Sequence, residues 1–142
     1  MSDQSNKLLG DVTAAMVCEA LRKEENQKTT LLGVYGPLGA VQIRVKELGK
    51  AIEKITFVFY FANNSEIGSL TVDIQILLPD GENFIPSFPV PMEIAKVNQR
   101  HTIVFGVNVP VFAQVGHHYV KMSVNGDEFF SESFEILHDP NL

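Results

Sequence analysis

Apolar and polar residues alternate along several stretches of this chain, and the clearest stretch covers residues 70–78. Every second residue there is apolar, whereas Thr71, Asp73 and Gln75 lie between the apolar positions. A period of two places one set of side chains on a core face and the other set in water. Turn residues, Pro79-Asp80-Gly81, follow at once. The pattern therefore predicts a half-buried strand that ends at a turn.

Two flanking segments also predict extended structure. Residues 55–61 are rich in aromatic and β-branched side chains, which indicates a strand buried on both faces. The polar connection at 63–68 favours a hairpin between this strand and the strand at 70–78. Residues 84–92 contain three prolines. Because proline cannot donate a hydrogen bond to a ladder, this segment is predicted to be an edge strand or a rim loop.

The C-terminal third predicts three more strands. Alternation recurs from Ile103 to Val111, and a second run covers residues 119–124. Asn125-Gly126 follows that run, and this pair accepts the positive φ angles of a tight hairpin turn. The closing strand covers residues 128–137, where Glu132 falls in register with the apolar positions. We predict either a bulge at this point or an edge strand with an inward charge.

The N-terminal third fits two patterns. The apolar positions of residues 8–25 suit an amphipathic helix and also suit an alternating strand. Residues 29–35 predict a strand, and a turn at 26–28 would join the two segments in a hairpin, which we favour. Residues 46–54 predict a short helical turn or a loop. Residues 1–7 are polar and predict a flexible tail.

Together these segments predict an all-β fold, an antiparallel two-sheet immunoglobulin-like β-sandwich of about seven to eight strands. Strands do not alternate with helices, so a parallel α/β sheet is not expected. The length of 142 residues suits a single domain over residues 1–142. A hydrophobic fraction of 45% supplies the core of that domain.

The charge balance narrows the expected partners. The net charge is −6, whereas phosphate backbones and anionic membranes attract basic surfaces. Lys46, Lys50 and Lys54 form the densest basic group, and Glu47 and Glu53 interleave with them. These side chains are therefore expected to form a solvated face. We expect neither a nucleic-acid partner nor a membrane partner.

The cysteine content and the first residues predict the compartment. Cys18 is the only cysteine, so no internal disulfide can form, and its apolar neighbours predict a buried, inert thiol. The first residues lack the pattern of a signal peptide, and no run approaches the ~18 apolar residues of a membrane span. These features predict a cytoplasmic protein.

Groups that could carry chemistry do not stand at a known spacing. The histidines are His101, His117, His118 and His138, and the adjacent pair would point to opposite faces of a strand. No nucleophile elbow or phosphate loop occurs, and most carboxylates fall at turns or on predicted outer faces. The sequence therefore predicts no catalytic residue, no metal site, no cofactor and no enzyme.

An apolar strip between the prolines is the candidate interaction site. Its members are Phe84, Ile85, Phe88, Val90 and Met92. A protein partner or a second copy could bind such a strip, or the side chains could cover the open edge of their own core, which we favour. Carbohydrate binding is a rival hypothesis, weakened because tryptophan is absent and tyrosines occur only three times.

Two stretches resemble known proteins. Residues 116–126 resemble the penultimate strand of immunoglobulin-like sandwiches, which implies that the Tyr119 hydroxyl ties a corner loop to the backbone. The N-terminal stretch resembles a family of small bacterial β-sandwich proteins, known as a domain of unknown function, and this resemblance implies one β-sandwich domain and no particular activity. The matching residues are Ala14, Cys18-Glu19, Arg22, Glu24 or Glu25, Lys28, Leu31 and Gly33-Val34-Tyr35, followed by Pro79-Asp80-Gly81 and the hairpin at 119–126.

The functional prediction follows from these observations. We predict a non-catalytic interaction or structural module, with a protein partner or self-association into a homo-oligomer. The alternative is a β-sandwich module that binds a small ligand or a carbohydrate.

Overall fold

A computed structural model describes residues 7–25 and 29–142, and this part of the chain contains nine strands. The strands are β1 (Asp11–Lys23), β2 (Thr29–Pro37), β3 (Gln42–Val45), β4 (Ile55–Ala62), β5 (Gly68–Leu77), β6 (Asn83–Ile94), β7 (His101–Val107), β8 (Gly116–Val124) and β9 (Asp127–His138). Helical structure in the described residues is a single turn at 7–9. None of the described helical structure has the length and apolar character that crossing a membrane requires. The predicted all-β fold is confirmed.

The strands form two sheets that pack face to face. The four-stranded sheet has the order β2-β1-β4-β7, and the five-stranded sheet has the order β3-β9-β8-β5-β6. Neighbouring strands are antiparallel except β3 and β9, which are parallel. About seven to eight strands were predicted, and the ninth is β3, which is only four residues long and too short to give a clear alternation.

The core is a stack of phenylalanine rings between the sheets. Phe57 is fully buried, and its ring centroid lies 4.9 Å from that of Phe105 and 5.5 Å from that of Phe134. Phe59 meets Phe130 edge to face at 5.4 Å. Aromatic pairs at these separations add to the free energy gained from burying the rings. Since Phe134 belongs to the opposite sheet, these contacts hold the two layers together.

The predicted hairpin between residues 55–61 and 70–78 is wrong. These segments are β4 and β5, which lie in different sheets. Both sides of β4 are occupied by β1 and β7, and both sides of β5 are occupied by β6 and β8, so the two strands cannot pair. The connection crosses between the layers instead, with Asn63 in the left-handed region at φ 69°.

The strand interpretation of the N-terminal third is confirmed, because β1 and β2 pair as an antiparallel hairpin. Residues 26–28, where a turn was predicted, lie outside the described residues, as do residues 1–6 of the predicted tail. Lys7, the last tail residue, has its carbonyl hydrogen-bonded by the backbone N–H groups of Ser65 and Glu66 at 2.8 and 3.1 Å. Residues 46–54 form a loop with one bridge, between Ala51 and Val111.

The C-terminal hairpin is confirmed at the predicted turn. Asn125 and Gly126 have φ angles of 52° and 82° and join β8 to β9. Glu132 lies opposite Val120, which is buried, yet Glu132 itself is exposed. The bulge of this pair lies between Met122 and Ser123, away from Glu132. Neither predicted alternative is therefore correct: β9 lies between β3 and β8 and is not an edge strand, and Glu132 is exposed without a bulge beside it.

Candidate protein-interaction site

The predicted interaction strip lies on β6, at one edge of the five-stranded sheet. Its side chains are partly buried and pack against the core. The ring of Phe84 lies 4.9 Å from that of Phe112, and the ring of Phe88 lies 5.3 Å from that of Phe105. The apolar atoms of these side chains therefore form part of the protein's own core. Use of this strip by a partner stays a prediction.

Three exposed prolines, Pro86, Pro89 and Pro91, occur along β6. A proline has no N–H group, so it fits in a sheet only where that group would point away from the neighbouring strand. The outward side of β6 consequently lacks donors at Pro89 and Pro91, which pair with Asp73 and Thr71 of β5. Prolines on an edge oppose the addition of a further strand.

The strand β7 is an edge of the four-stranded sheet and contains no proline. It is seven residues long and pairs with β4 from Ile55↔Val107 to Phe61↔His101 without a register shift. On the outer face Thr102, Val104 and Gly106 are exposed, and 45% of Val104 is accessible. An edge strand presents a row of N–H and C=O groups that another strand can bind.

The remaining edges are less regular. The strand β2 carries a bulge opposite Val17 and Cys18, and its Gly33 and Gly36 have φ angles of 59° and 145°. The strand β3 has only four residues. Among the described strands, β7 is therefore the edge on which an added strand would find the longest regular ladder.

The far half of the β1–β2 hairpin bends over the outer face of the four-stranded sheet. We call its described residues, 19–25 and 29–33, the arm. The last residue pair between β1 and β4 is Cys18↔Thr56. Beyond this pair, the Thr56 hydroxyl donates a hydrogen bond of 3.0 Å to the carbonyl of Glu19, the first residue of the arm. The Glu19 carboxyl group occupies the space in which Gly33 would carry a Cβ, 2.5 Å away, so this bend depends on glycine.

A groove of about 580 Å³ lies between the arm and the outer face of β4 and β7. Its apolar lining comes from Leu21, Val58, Tyr60 and Val104, and its polar lining comes from Lys23, Glu24, Thr29 and Thr102. Two of these residues, Thr102 and Val104, belong to β7. The groove therefore opens beside the proline-free edge of β7.

Cations without a carboxylate partner surround this edge. Lys23 lines the groove, and the Cε atom of Lys54 lies 2.6 Å from the point where Gly106 would carry a Cβ. Arg100 directly precedes β7. Within residues 7–25 and 29–142 none of the three forms a salt bridge, whereas Lys50 pairs with Glu47 at 2.6 Å. Glu24 also lines the groove, but its carboxylate is paired with Arg22 at 2.9 Å, so these three cations lie near β7 without a carboxylate partner among the described residues.

The groups considered for chemistry are spread over the fold. His117 and His118 point to opposite faces of β8, as predicted, and His118 is fully buried. Cys18 is also buried, and burial raises the pKa of its thiol, as expected of an inert cysteine. In the part of the chain that the structure describes, no three His, Cys, Asp or Glu side chains converge as metal ligands.

Tyr119 does not form the corner that its resemblance implied. It lies opposite Leu77 and Ser133 on the outer face of the five-stranded sheet, with 41% of its surface accessible. The register that buries Val120 turns Tyr119 outwards, since successive side chains of a strand point to opposite faces.

His118 gives the fold a pH dependence. Its Nδ1 atom lies 3.1 Å from the Gly116 carbonyl, while Nε2 is buried without a partner among the rings of Phe84, Phe112 and Phe134. Since a carbonyl only accepts, Nδ1 carries the proton of the neutral ring, and a second proton on Nε2 would find no acceptor. Burial therefore lowers the pKa of His118 below its usual value.

We expect the free energy of unfolding to fall as the pH drops below about 6.5, where the unfolded histidine begins to bind a proton and the folded one does not. Above that pH the full stability is retained. The slope for one histidine is limited to about 1.4 kcal/mol per pH unit. Denaturation between about pH 5 and 8 should show a smaller slope for His118→Phe, and an unchanged slope would contradict the assignment. Burial also lowers the pKa of His101, which therefore contributes a slope of the same sign.

No protein-family model matches the chain, and a search of curated proteins finds no match. Among solved structures the chain is similar to Pseudomonas fluorescens alkylpurine DNA glycosylase AlkC bound to DNA containing an abasic site analog, with 21% identity and a TM-score of 0.45. The match covers 68% of this chain and 27% of the glycosylase chain. A likeness at this level supports no activity for the present chain.

Two sequence-based predictions are nevertheless contradicted by this comparison, since the similar structure is an enzyme in complex with DNA. They are the predictions that the chain is not an enzyme and that it has no nucleic-acid partner. The first rested on missing motifs, which say nothing about groups that only folding brings together. The second rested on net charge, which averages over the whole surface and does not describe the charge at any one place.

Proposed function

We propose that this chain is a protein-interaction module that binds an extended segment of a partner along the free edge of β7. The observation that carries the proposal is the regular, proline-free β7 edge with Val104 exposed at its centre. In this mode of recognition main-chain hydrogen bonds provide affinity, and pockets for alternate side chains provide specificity. The groove beside Thr102 and Val104 supplies such a pocket.

The contrast between the two neighbouring edges supports the same proposal. Proteins protect edge strands with prolines, charges or bulges because unpaired edges bind other chains. The strand β6 has exposed prolines, whereas β7 has none and presents a threonine, a valine and a glycine on its outer face. An edge left open beside a protected one is expected where pairing is used.

Replacement of Val104 by asparagine should weaken binding of an edge-binding peptide by about tenfold, which corresponds to about 1.4 kcal/mol. The apolar contact with the added strand is lost, and asparagine is disfavoured in strands. Peptides would be selected from a display library of random sequences and measured by fluorescence anisotropy. The matched control is Val34→Asn, because Val34 is also exposed, at 51%, but lies on β2 at the opposite edge of the sheet.

Hydrogen exchange of the full chain gives the direct readout. Bound peptide should slow exchange of the backbone amides of β7 and leave those of β6 unchanged. Protection centred on β6 or β2, or equal weakening by Val104→Asn and Val34→Asn, would contradict strand addition at β7. The strip on β6 would become the better candidate in the first of these cases.

A carbohydrate-binding function is the second candidate, and the exposed ring of Tyr119 favours it. A polar groove of about 400 Å³ lies on the same outer face, with Asp73, Gln75, Lys121 and Ser123 among its lining residues. Hydroxyl, amide and charged groups beside an exposed ring suit a sugar. An oligosaccharide array would test this candidate, with Tyr119→Ala expected to abolish any specific signal.

We extend the proposal to the cellular compartment of the protein and to the family of the chain. We infer a cytoplasmic location, supported by the unpaired thiol of Cys18. An immunoglobulin-like origin in the C-terminal half is supported by the tight β8–β9 hairpin at Asn125-Gly126. The resemblance of the N-terminal residues supports membership of the bacterial family named above.

A further inference from the structure

If a partner strand is added to β7, the side chains on its outer face reach the groove at a fixed position. Cross-strand neighbours on one face of a sheet stand about 4.5–5.5 Å apart at Cβ. The partner residue opposite Val104 therefore projects beside the groove, because Val104 and Thr102 both line it. With a volume of about 580 Å³ the groove falls within the usual range of ligand pockets, about 300–1000 Å³, and accepts a large apolar side chain against Leu21 and Tyr60.

The neighbouring residues on the outer face of the added strand would lie near lysine side chains. Side chains two positions apart on a strand share a face, so the partner residues on either side of the groove residue lie opposite Thr102 and Gly106. Lys23 lines the groove with Thr102, and the Lys54 side chain lies over Gly106. Glu24 lines the groove as well, but its carboxylate is already bound by Arg22 at 2.9 Å. Neither lysine has a carboxylate partner among residues 7–25 and 29–142.

We infer that the partner is an acidic extended peptide in which an apolar residue is flanked two positions away on each side by a glutamate or aspartate. This inference rests on the proposed function, since it assumes strand addition at β7. The apolar side chain enters the groove, and the two carboxylates meet Lys23 and Lys54. The pattern is symmetric and is therefore the same for a parallel and an antiparallel added strand.

Charge complementarity selects this occupant over a second copy of the chain. If β7 paired with β7 of another copy, the residues that met the lysines would come from Thr102, Val104 and Gly106, which carry no charge. A nucleic acid would supply negative charge, but it would not use the main-chain groups of the edge. The peptide uses the edge, the groove and the cations together.

The test uses three synthetic peptides that share an alternating threonine frame. Thr-Glu-Thr-Leu-Thr-Glu-Thr carries the full pattern, Thr-Gln-Thr-Leu-Thr-Gln-Thr lacks the charges, and Thr-Glu-Thr-Ser-Thr-Glu-Thr lacks the apolar side chain. Each is labelled and titrated with the full chain by fluorescence anisotropy at low and high salt. We expect the first peptide to bind about tenfold more tightly than either of the others, with a loss of that advantage over the uncharged peptide at high salt.

Lysine variants assign the charges. Lys23→Gln and Lys54→Gln should each weaken the acidic peptide a few-fold and leave the uncharged peptide unchanged. Lys46→Gln is the matched control, because Lys46 is likewise exposed and without a salt bridge in the described part of the chain, but lies beside β3 at the opposite side of the sandwich. Equal effects of all three substitutions would reduce the role of charge to a general attraction and overturn the inference.

The remaining outcomes separate the inference from the proposed function. If all three peptides protect β7 amides with equal affinity, strand addition stands and the acidic pattern is wrong. If none protects β7, strand addition itself fails and the inference fails with it. Displacement of the acidic peptide by a single-stranded oligothymidylate that binds more tightly would assign the lysines to nucleic acid. A dimer in light scattering that Val104→Asn dissociates would assign the edge to a second copy.

Discussion

Replacement of Phe57 by alanine is expected to lower the free energy of unfolding by about 3–5 kcal/mol. Phe57 is fully buried and touches rings from both layers, Phe105 on the neighbouring strand and Phe134 on the opposite sheet. The substitution removes the transfer free energy of the ring and leaves a cavity that two rigid sheets cannot close. A domain of this size typically has only about 5–15 kcal/mol of stability in total.

Chemical denaturation followed by tyrosine fluorescence or circular dichroism would measure this loss. Phe57→Leu should cost less, because it keeps most of the apolar volume. The control is Val109→Ala, which should change the stability by no more than about 0.5 kcal/mol because Val109 is 68% exposed. A loss of less than about 1 kcal/mol for Phe57→Ala would mean that the two layers are not held together at this point.

Replacement of Asn64 by alanine should cost about 2–4 kcal/mol, the second largest effect expected. Asn64 is 1% exposed, and its side chain joins two connections, the one between β4 and β5 and the one between β6 and β7. Its Nδ2 group donates to the carbonyls of Glu66 and Lys96 at 3.0 and 2.9 Å, and its Oδ1 atom accepts from the Gln99 N–H group at 2.8 Å. Each buried group left without a partner costs about 1–3 kcal/mol, and some regain water at the rim.

The matched control for Asn64 is Asn83→Ala. Asn83 is exposed and makes one side-chain hydrogen bond, from Gln75 at 2.7 Å, so its loss should cost under about 1 kcal/mol. Hydrogen exchange adds a local readout, because Asn64→Ala should speed exchange in the connection before β7 more than in β8 or β9. Equal stability of the two variants would show that backbone contacts alone hold these connections.

The strands of this fold were visible in the sequence where one face meets water and the other meets the core. The alternation at residues 70–78 and the Asn125-Gly126 turn gave β5 and the β8–β9 hairpin, because both are local properties. Which strands pair is not a local property. The polar connection after β4 could serve a hairpin or a crossing between sheets, and only the occupancy of all neighbouring positions decides between them.

The candidate site was harder to predict than the fold. The run from Ile103 to Val111 was recognised, but its position at a sheet edge depends on the whole topology. Val109 and Val111 fall in the loop after β7, and Pro110 between them was the signal that the strand had ended. The groove residues Leu21 and Tyr60 are far apart along the chain, and only the bend of the arm brings them together.

The basic group at residues 46–54 shows the same limit. Lys50 pairs with Glu47, as expected of a solvated face, whereas Lys54 lies over Gly106 of β7. The residues next to Lys50 and Lys54 in the sequence do not predict that difference, because Gly106 is distant in the chain. Because Gly106 has no side chain, the side chain of Lys54 can occupy the space beside it.

The prolines of β6 also bear on how this protein would aggregate. Fibrils grow when each molecule offers two open strand edges, so that every addition leaves a new edge for the next. Here one long edge, β6, carries three prolines and the other, β7, carries none, while β2 is bulged and β3 is short. Joining two molecules through their open edges uses up both, so assembly by this route stops at a pair instead of continuing into a filament.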